Sequence, residues 1–274
     1  MDHIFHLLTY SSDETEAIFF ASVLFICWNI ENLAGLAVNY KKWNHAFLNV
    51  QFIITGVLPQ FVMGLFFVKT MQWTGRHHFG LLYQLHGIKS TFLLFIASFI
   101  LLDFGEYIYH VIMHKVYRLW MFHSVHHSDY MVDVSTTLRE HPGENVIRNC
   151  FTLLWIFCSG AIFWMVFFRQ LIQITSNLLV HMNCRLPDKL EAVVSTLFIT
   201  PSLHQVHHHY QKPYTDCNYG DVLSIWDRMF GTFRRLPYKE IVFGVDRYMD
   251  KKTNPTYLSL MKMPFEKYRK QKKN

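Results

Sequence analysis

Residues 91–114 read "TFLLFIASFILLDFGEYIYHVIMH". The first twelve are almost wholly apolar. The last twelve carry Asp103, Glu106, Tyr107, His110 and His114. Asp103, Glu106 or Tyr107, His110 and His114 recur three or four residues apart, so on a helix they share one stripe. As a helix the stretch is about 36 Å long, enough to cross a hydrocarbon core of about 30 Å. It predicts a membrane span that ends in two histidines on one face. A carboxylate then sits one or two turns inside the membrane, where ionisable groups are costly and mark function.

The composition agrees with a membrane protein. Of 274 residues, 51 % are hydrophobic and 25 are Phe, while only 17 % are charged, below the roughly 25 % of a soluble domain. Such a chain has too little polar surface to cover its core in water. Residues 17–38, 46–68 and 146–180 are further apolar stretches. The second contains Pro59, which predicts a kink. The last is longer than one span needs, and predicts a hairpin turning near Ser159–Gly160. The fold expected is an all-α membrane bundle of four to five spans or half-spans, with a cytosolic helical cap. We read one domain over 1–274, with no linker.

Sixteen of the 26 Lys and Arg follow Val180, and the net charge is +6. Lys41 and Lys42 lie between the first two spans. By the positive-inside rule, residues 39–45, 110–145 and everything after 180 face the cytoplasm. Lys69, Arg76 and Lys89, around the opposite loop, run against this. The tail over 250–274, ending "FEKYRKQKKN", is basic enough to rest on anionic lipid headgroups. The five cysteines, Cys27, Cys150, Cys158, Cys184 and Cys217, form no C-x-x-C pair and imply no disulfide framework. The acidic N-terminus lacks the basic region of a cleavable signal.

The chain has 17 histidines, and eleven cluster in 110–141 and 181–209. "HSVHH" at 123–127 and "HQVHHH" at 204–209 repeat the geometry of His110 and His114: imidazoles at i, i+3 and i+4 share a helical face. His141 and His181 bring the expected set to ten: His110, His114, His123, His126, His127, His141, His181, His204, His207 and His208. Ten imidazoles are too many for one ion and suit two. Structural zinc needs four ligands and catalytic zinc three, and no H-E-x-x-H supplies a zinc protease's base. Iron fits the count better, and the position at a membrane surface suits oxidation of a lipid by O2. Ligand histidines need acceptors for their second N–H. The candidates are Asp103, Glu106, Asp133, Glu140, Glu144, Asp216 and Asp221. Asp129 either braces a ligand or caps the next segment. "EHPGEN" at 140–145 lacks the second glycine of a haem-binding H-P-G-G turn, so no haem is expected at His141.

Five segments together resemble the fatty acid hydroxylase superfamily of sterol-desaturase-like membrane di-iron enzymes. They are "DFGEYIYHVIMH", "HSVHH", "LREHPGE", "LVHMNCRLP" and "TPSLHQVHHHYQKPYTDCNYGDVLSIWDRMFGTF". The resemblance covers about residues 90–235, the expected catalytic core. It implies that all ten histidines above hold two irons, and it leaves His209 outside the pattern. Asp103, Glu106, Glu144 and Asp221 would brace the ligands. It also implies hydroxylation or desaturation of a membrane lipid, with O2 as co-substrate and two external electrons. The donor would be a ferredoxin, a cytochrome b5 or a reductase, since the chain carries no flavin, haem or iron–sulfur motif. Zinc can replace iron in such a site. Phe92, Phe95, Phe99 and Tyr107 are expected either to line the substrate channel or to pack the spans. A non-redox zinc or transport protein is the alternative, and no nucleic acid partner is expected.

Overall fold

A computed structural model describes residues 12–35, 40–246 and 255–266. Most of the N-terminal segment and much of the basic tail lie outside the described residues. So the signal-peptide reading, and the tail reading beyond 255–266, are not addressed by the fold. The described chain is helical, with no named strand and two isolated bridges, Phe198–Leu223 and His209–Phe243. In chain order the α-helices are α1 (Ser12–Ala34), α2 (Lys42–His77), α3 (Thr91–Lys115), α4 (Tyr117–His127), α5 (Pro142–Ser159), α6 (Phe163–His181), α7 (Asp188–Val194), α8 (Pro201–His207), α9 (Ile225–Met229) and α10 (Tyr257–Lys262).

Four segments among the described residues are long and apolar enough to cross a membrane: Thr15–Ala34, Lys42–Gln84, Thr91–Lys115 and Phe163–His181. Their outer faces expose Phe25, Leu33, Phe47, Ile54, Leu58 and Phe92. In water this surface would be a large liability; against lipid it costs nothing. α2 continues through Pro59 as one helix, longer than the 46–68 stretch read from hydropathy. The 146–180 stretch is the expected hairpin. α5 ends at Gly160, whose φ of 70° closes the turn, and α6 returns.

Glycine fixes this turn. A Cβ on Gly80 would come within 2.4 Å of the Gly160 backbone nitrogen, so the α2–α3 connection and the α5–α6 turn touch backbone to backbone. On the lipid-embedded flank of α3, Gly105 admits the Trp155 ring of α5, which a Cβ would meet at 2.4 Å. These close approaches set the spacing of α3 and α5.

The opposite end of the bundle gathers the histidines. There Glu31 of α1 accepts from the backbone N–H groups of Val134 and Asn183, at 3.0 and 2.6 Å, and pairs with Lys42 at 2.6 Å. His45 of α2 sits between Asp129 and Asp133, at 2.8 and 2.9 Å. Residues 40–45, 123–139 and 181–183 therefore meet at one end.

Residues 218–232 pack directly on the bundle. Asp103, fully buried on α3, accepts from Val222 N–H (3.2 Å), Leu223 N–H (3.3 Å) and Trp226 Nε1–H (2.8 Å). Asp227 in turn accepts from the N–H groups of Tyr219 and Gly220, both at 2.8 Å. Phe99, Tyr107, Tyr219, Val222 and Trp226 pack around this anchor. The segment is thus seated on the spanning helix itself, within two turns of His110.

Candidate metal centre

Four short pieces of chain deliver the imidazoles. His110 and His114 sit one turn apart at the end of α3. The helix breaks at Val116, whose extended backbone (ψ 108°) turns the chain into α4. α4 presents His123, His126 and His127. His181 ends α6. Thr200 caps α8, accepting from Leu203 N–H, with Pro201 at the first helical position. That helix carries His204 and His207, and His208 follows directly.

The nine side chains form two adjacent groups. His110, His114, His123, His127 and His207 make one; His126, His181, His204 and His208 make the other. Within each, one nitrogen per ring lies within 4.8 Å of all the others. Several Nε2 pairs are closer: His110–His123 at 3.1 Å, His126–His181 at 3.0 Å, His181–His204 at 2.9 Å and His204–His208 at 3.1 Å. Metal–nitrogen bonds of about 2.1 Å at right angles would put their nitrogens ~3.0 Å apart. These contacts are the edges of such a polyhedron. His127 and His114 have both ring nitrogens buried and without a hydrogen-bond partner. His207 Nε2, His204 Nδ1 and His208 Nδ1 are orphaned likewise. Orphaned nitrogens in a dry site are costly unless a cation takes their lone pairs. The residues fit two metal ions.

In five of the nine rings the opposite nitrogen is held from behind, which fixes tautomer and orientation. His110 Nδ1 donates to the Tyr219 carbonyl at 2.8 Å, His207 Nδ1 to that of Cys217 at 2.7 Å and His181 Nδ1 to that of Asn177 at 2.7 Å. His126 Nδ1 reaches the Arg139 carbonyl at 3.3 Å. His123 Nδ1 donates to Glu144 at 2.5 Å, and His114 Nδ1 lies 3.5 Å from Asp216. Burial holds His126, His127, His204 and His208 well below the usual imidazole range, and holds His207 down to about 3. They are neutral at pH 7, the form a metal needs.

One expected ligand is elsewhere. His141 is the N-cap of α5: its Nδ1 accepts from Gly143 N–H at 2.9 Å and its Nε2 faces the Met261 carbonyl at 3.2 Å. Pro142 follows at the first helical position, and His141 joins neither group. Of the four expected braces, only Glu144 touches a cluster histidine. Asp103 anchors residues 222–226. Glu106 accepts from Thr152 Oγ1 at 3.2 Å and lies 3.7 Å from Arg148. Asp221 lies 3.5 Å from Arg169, and burial with Glu106 nearby pushes its carboxyl up to about 7. Glu140 pairs with Arg148 at 3.2 Å. His209 accepts from Val242 N–H at 3.0 Å, outside both groups.

Sequence reasoning left Asp129 open and missed its partners. Asp129 pairs with His45 and, at 3.3 Å, with Arg139, and accepts from Thr136 Oγ1 at 2.7 Å. Asp133 accepts from Tyr40 at 2.6 Å. The signal was present: His45 and Asn49 lie four apart on one face of an otherwise apolar helix.

One cavity adjoins the histidines, and a second shares Glu106 with it. The first, of about 90 Å³, is lined by His110, His123, His126, His181 and His204 on one side and by Glu106, Glu140, Glu144, Arg148 and Asp221 on others. The second, of about 700 Å³, lies among α1, α2, α3, α5 and α6, lined mainly by apolar residues such as Phe20, Phe61, Leu65, Leu102, Trp155 and Phe167. Phe92, Phe95, Phe99 and Tyr107 line neither. Phe92 is exposed on the outer face, and the others pack against neighbouring rings.

Residues 95–232, which carry all nine clustered histidines, match the model of the fatty acid hydroxylase family. The chain belongs to that family. Among curated proteins it is similar to alkylglycerol monooxygenase of Homo sapiens, 31 % identical over 151 residues, which are 54 % of this chain and 32 % of the relative. The Xenopus tropicalis alkylglycerol monooxygenase is 35 % identical over 152 residues, 54 % and 32 % of the two chains. Ornithine lipid hydroxylase OlsE of Rhizobium tropici is 29 % identical over 142 residues, 52 % and 42 %. The matched region thus spans less than half of these relatives. No solved structure matches the chain.

Proposed function

We propose that this protein hydroxylates a C–H bond of a membrane lipid, with O2 as co-substrate and two iron ions held by the nine clustered histidines. The observation that carries the reading is the junction of two parts. Two buried imidazole groups open on a small polar cavity, and that cavity adjoins an apolar one inside the membrane bundle. Relatives named as a monooxygenase and a hydroxylase favour hydroxylation over desaturation.

With iron bound, the chemistry supplied is reduction of O2 by two external electrons, one oxygen atom entering the C–H bond and the other leaving as water. The chain's own residues do the rest. The carbonyls of Tyr219, Cys217 and Asn177, with Glu144, hold the second nitrogen of four rings, so each ring aims its Nε2 inward. Burial keeps the rings neutral and bulk water out. The large cavity accepts an alkyl chain, and the small one receives the part to be oxidised.

Electrons come from a partner protein on the cytoplasmic side, where the histidine end and the basic C-terminal region lie. Asp216 offers a surface route: it lies 3.5 Å from His114 and pairs with Lys115 and Lys212, at 2.9 and 3.1 Å, both exposed. An acidic donor such as a ferredoxin or a cytochrome b5 suits those lysines.

The test is lipid mass spectrometry of a host expressing the chain beside a His126→Ala control. A +16 mass shift, present only with the intact chain, is expected. A −2 shift would assign desaturation. Purified protein that holds zinc alone, with no O2-dependent turnover under any reductant, would refute the reading in favour of non-redox metal binding.

A further inference from the structure

The apolar outer surface reaches different depths on the two sides of the bundle. Along α1 and α2 it runs to the histidine end. Leu33 and Trp43 are 90 % and 77 % exposed. They lie two residues from Glu31 and His45, which hold the segments following the histidines. Trp43 packs on Trp28, with ring centres 5.1 Å apart, and tryptophans collect where hydrocarbon meets headgroups. The bilayer surface is therefore close to the level of the histidines.

On α3 the exposed apolar surface stops far short of that level. Phe92, Ile96 and Ile100 form an exposed stripe, and no residue from Leu101 to His114 is exposed. Thr91 to Ile100 spans about 15 Å, half of a hydrocarbon core of about 30 Å. Lys89 and the N-cap Ser90 close the other end. Protein covers the missing half. Phe104, one turn beyond Ile100, meets the rings of Trp226 and Phe230 at 4.8 and 6.0 Å, and Tyr107 meets Phe230 at 5.4 Å.

The covering segment turns an apolar edge outward. Met229 is 68 % exposed, and Phe230 is exposed beside it. Residues 197–199 run alongside, Ile199 N–H donating to the Val222 carbonyl and Ser224 N–H to that of Leu197, both at 2.9 Å. With α7 they add Leu190, Val193, Leu197 and Phe198, all exposed. Such an edge, continuous with a lipid-facing stripe, would be a liability in water. Irregular chain at membrane depth must satisfy its backbone within the protein. This segment does so. The carboxylates of Asp103 and Asp227 take the N–H groups of Tyr219, Gly220, Val222 and Leu223, and the Asp227 carbonyl takes those of Thr232 and Phe233.

We infer that α7, α9 and the strands of chain beside them, residues 188–198 and 222–230, are embedded in the leaflet on the histidine side. Their partner is the acyl-chain layer of the bilayer, which meets the edge formed by Leu190, Val193, Leu197, Phe198, Met229 and Phe230. Arg228, Arg234 and Arg235, exposed on the same stretch, extend from it to lipid phosphates. The region after residue 180, expected to face the cytoplasm, thus includes a lipid-facing part. His110, about 28 Å along α3 from Thr91, is level with the bilayer surface rather than above it. The inference concerns the fold in its membrane and is independent of the chemistry at the metal centre.

The test is photolabelling of the full chain in phosphatidylcholine nanodiscs. A trace of phosphatidylcholine carries a diazirine midway along one acyl chain, and labelled peptides are mapped by tandem mass spectrometry. The exposed face of α1 is the positive reference, and residues 209–214, which carry the exposed Lys212, are the negative one. Peptides over 188–198 and 225–230 should label like α1, roughly 10-fold above 209–214, because the hydrocarbon layer holds the probe and excludes water. A water-soluble carbene precursor should give the reverse order. Acyl-chain labelling of either segment no higher than that of 209–214 overturns the inference. So does strong labelling of either segment from water, which would leave the edge to solvent or to a soluble protein partner. Oxidation is not read in either arm, so failure of the hydroxylase reading would leave the result standing.

Discussion

Glu144→Gln tests how the centre is held. Glu144 is fully buried at the start of α5. It accepts from His123 Nδ1–H at 2.5 Å and from Tyr109 O–H at 3.1 Å, and Arg148 lies 3.8 Å away. The interactions with His123 and Arg148 keep its carboxyl below the usual carboxylate range, despite burial. The ionised form thus holds the proton on His123 Nδ1 and leaves Nε2 to the first histidine group. Glutamine has the same size and can still accept, but it carries no charge. Removing such a supporting carboxylate typically costs 10- to 100-fold in metal affinity, about 1.4–2.7 kcal/mol. The assay is iron retention against a chelator series, with iron per chain measured at each step. Glu144→Gln should release the more weakly held half of its iron at a 10- to 100-fold lower chelator concentration, the other half being retained as in wild type. Thermal unfolding of the metal-free proteins should differ far less than that of the loaded ones. Chelator curves that coincide, or a loss equal in loaded and metal-free protein, would refute the view that Glu144 works through His123.

Other outcomes follow from the same geometry. His141→Ala should keep wild-type iron content and lose only about 1 kcal/mol, the worth of an N-cap; His204→Ala should lose about half its iron, and equal iron loss in both would return His141 to the ligand set. Asp103→Ala removes the acceptor of three buried donors and should destabilise by about 3–5 kcal/mol, with hydrogen exchange accelerating first in residues 218–232; uniform acceleration would show that Asp103 is no local anchor. Metal-free protein should lose stability as pH falls. Burial depresses the folded-state pKa of His126, His127, His204 and His208, and holds His207 at about 3, against about 6.5 unfolded. The unfolded chain therefore binds more protons below that value, and stability present above about pH 6.5 is lost progressively towards pH 3. A melting temperature flat between pH 7 and 5 would contradict this, and bound metal should reduce the slope.

Much of this was legible in sequence because it depends on local periodicity. Hydropathy and length located the spans, and Gly160 marked the hairpin. Spacing at i, i+3 and i+4 put His110 with His114, and His123 with His127, on shared faces whatever the rest of the chain does. The order of five motifs identified the family. His141 shows the limit: its place in "LREHPGE" suggested a ligand through the family resemblance, whereas in the fold its side chain accepts from the Gly143 N–H.

The division of nine imidazoles into five and four was decided only in three dimensions. His126 and His127 are chain neighbours, yet they point to different groups, because successive residues on a helix diverge by about 100°. His207 and His208 separate likewise, at the end of α8. The acceptors behind the rings are mostly carbonyls of Tyr219, Cys217, Asn177 and Arg139, which every residue type possesses and no sequence pattern marks. Asp103 and Glu106 read alike in the spanning stretch, but residues 222–226 made one an anchor, while Thr152 and Arg148 of α5 hold the other. Sequence determined which groups lie on each helix face. Tertiary packing determined which faces meet, because in a dry interior each buried polar atom must be matched by whatever the fold brings within 3 Å of it.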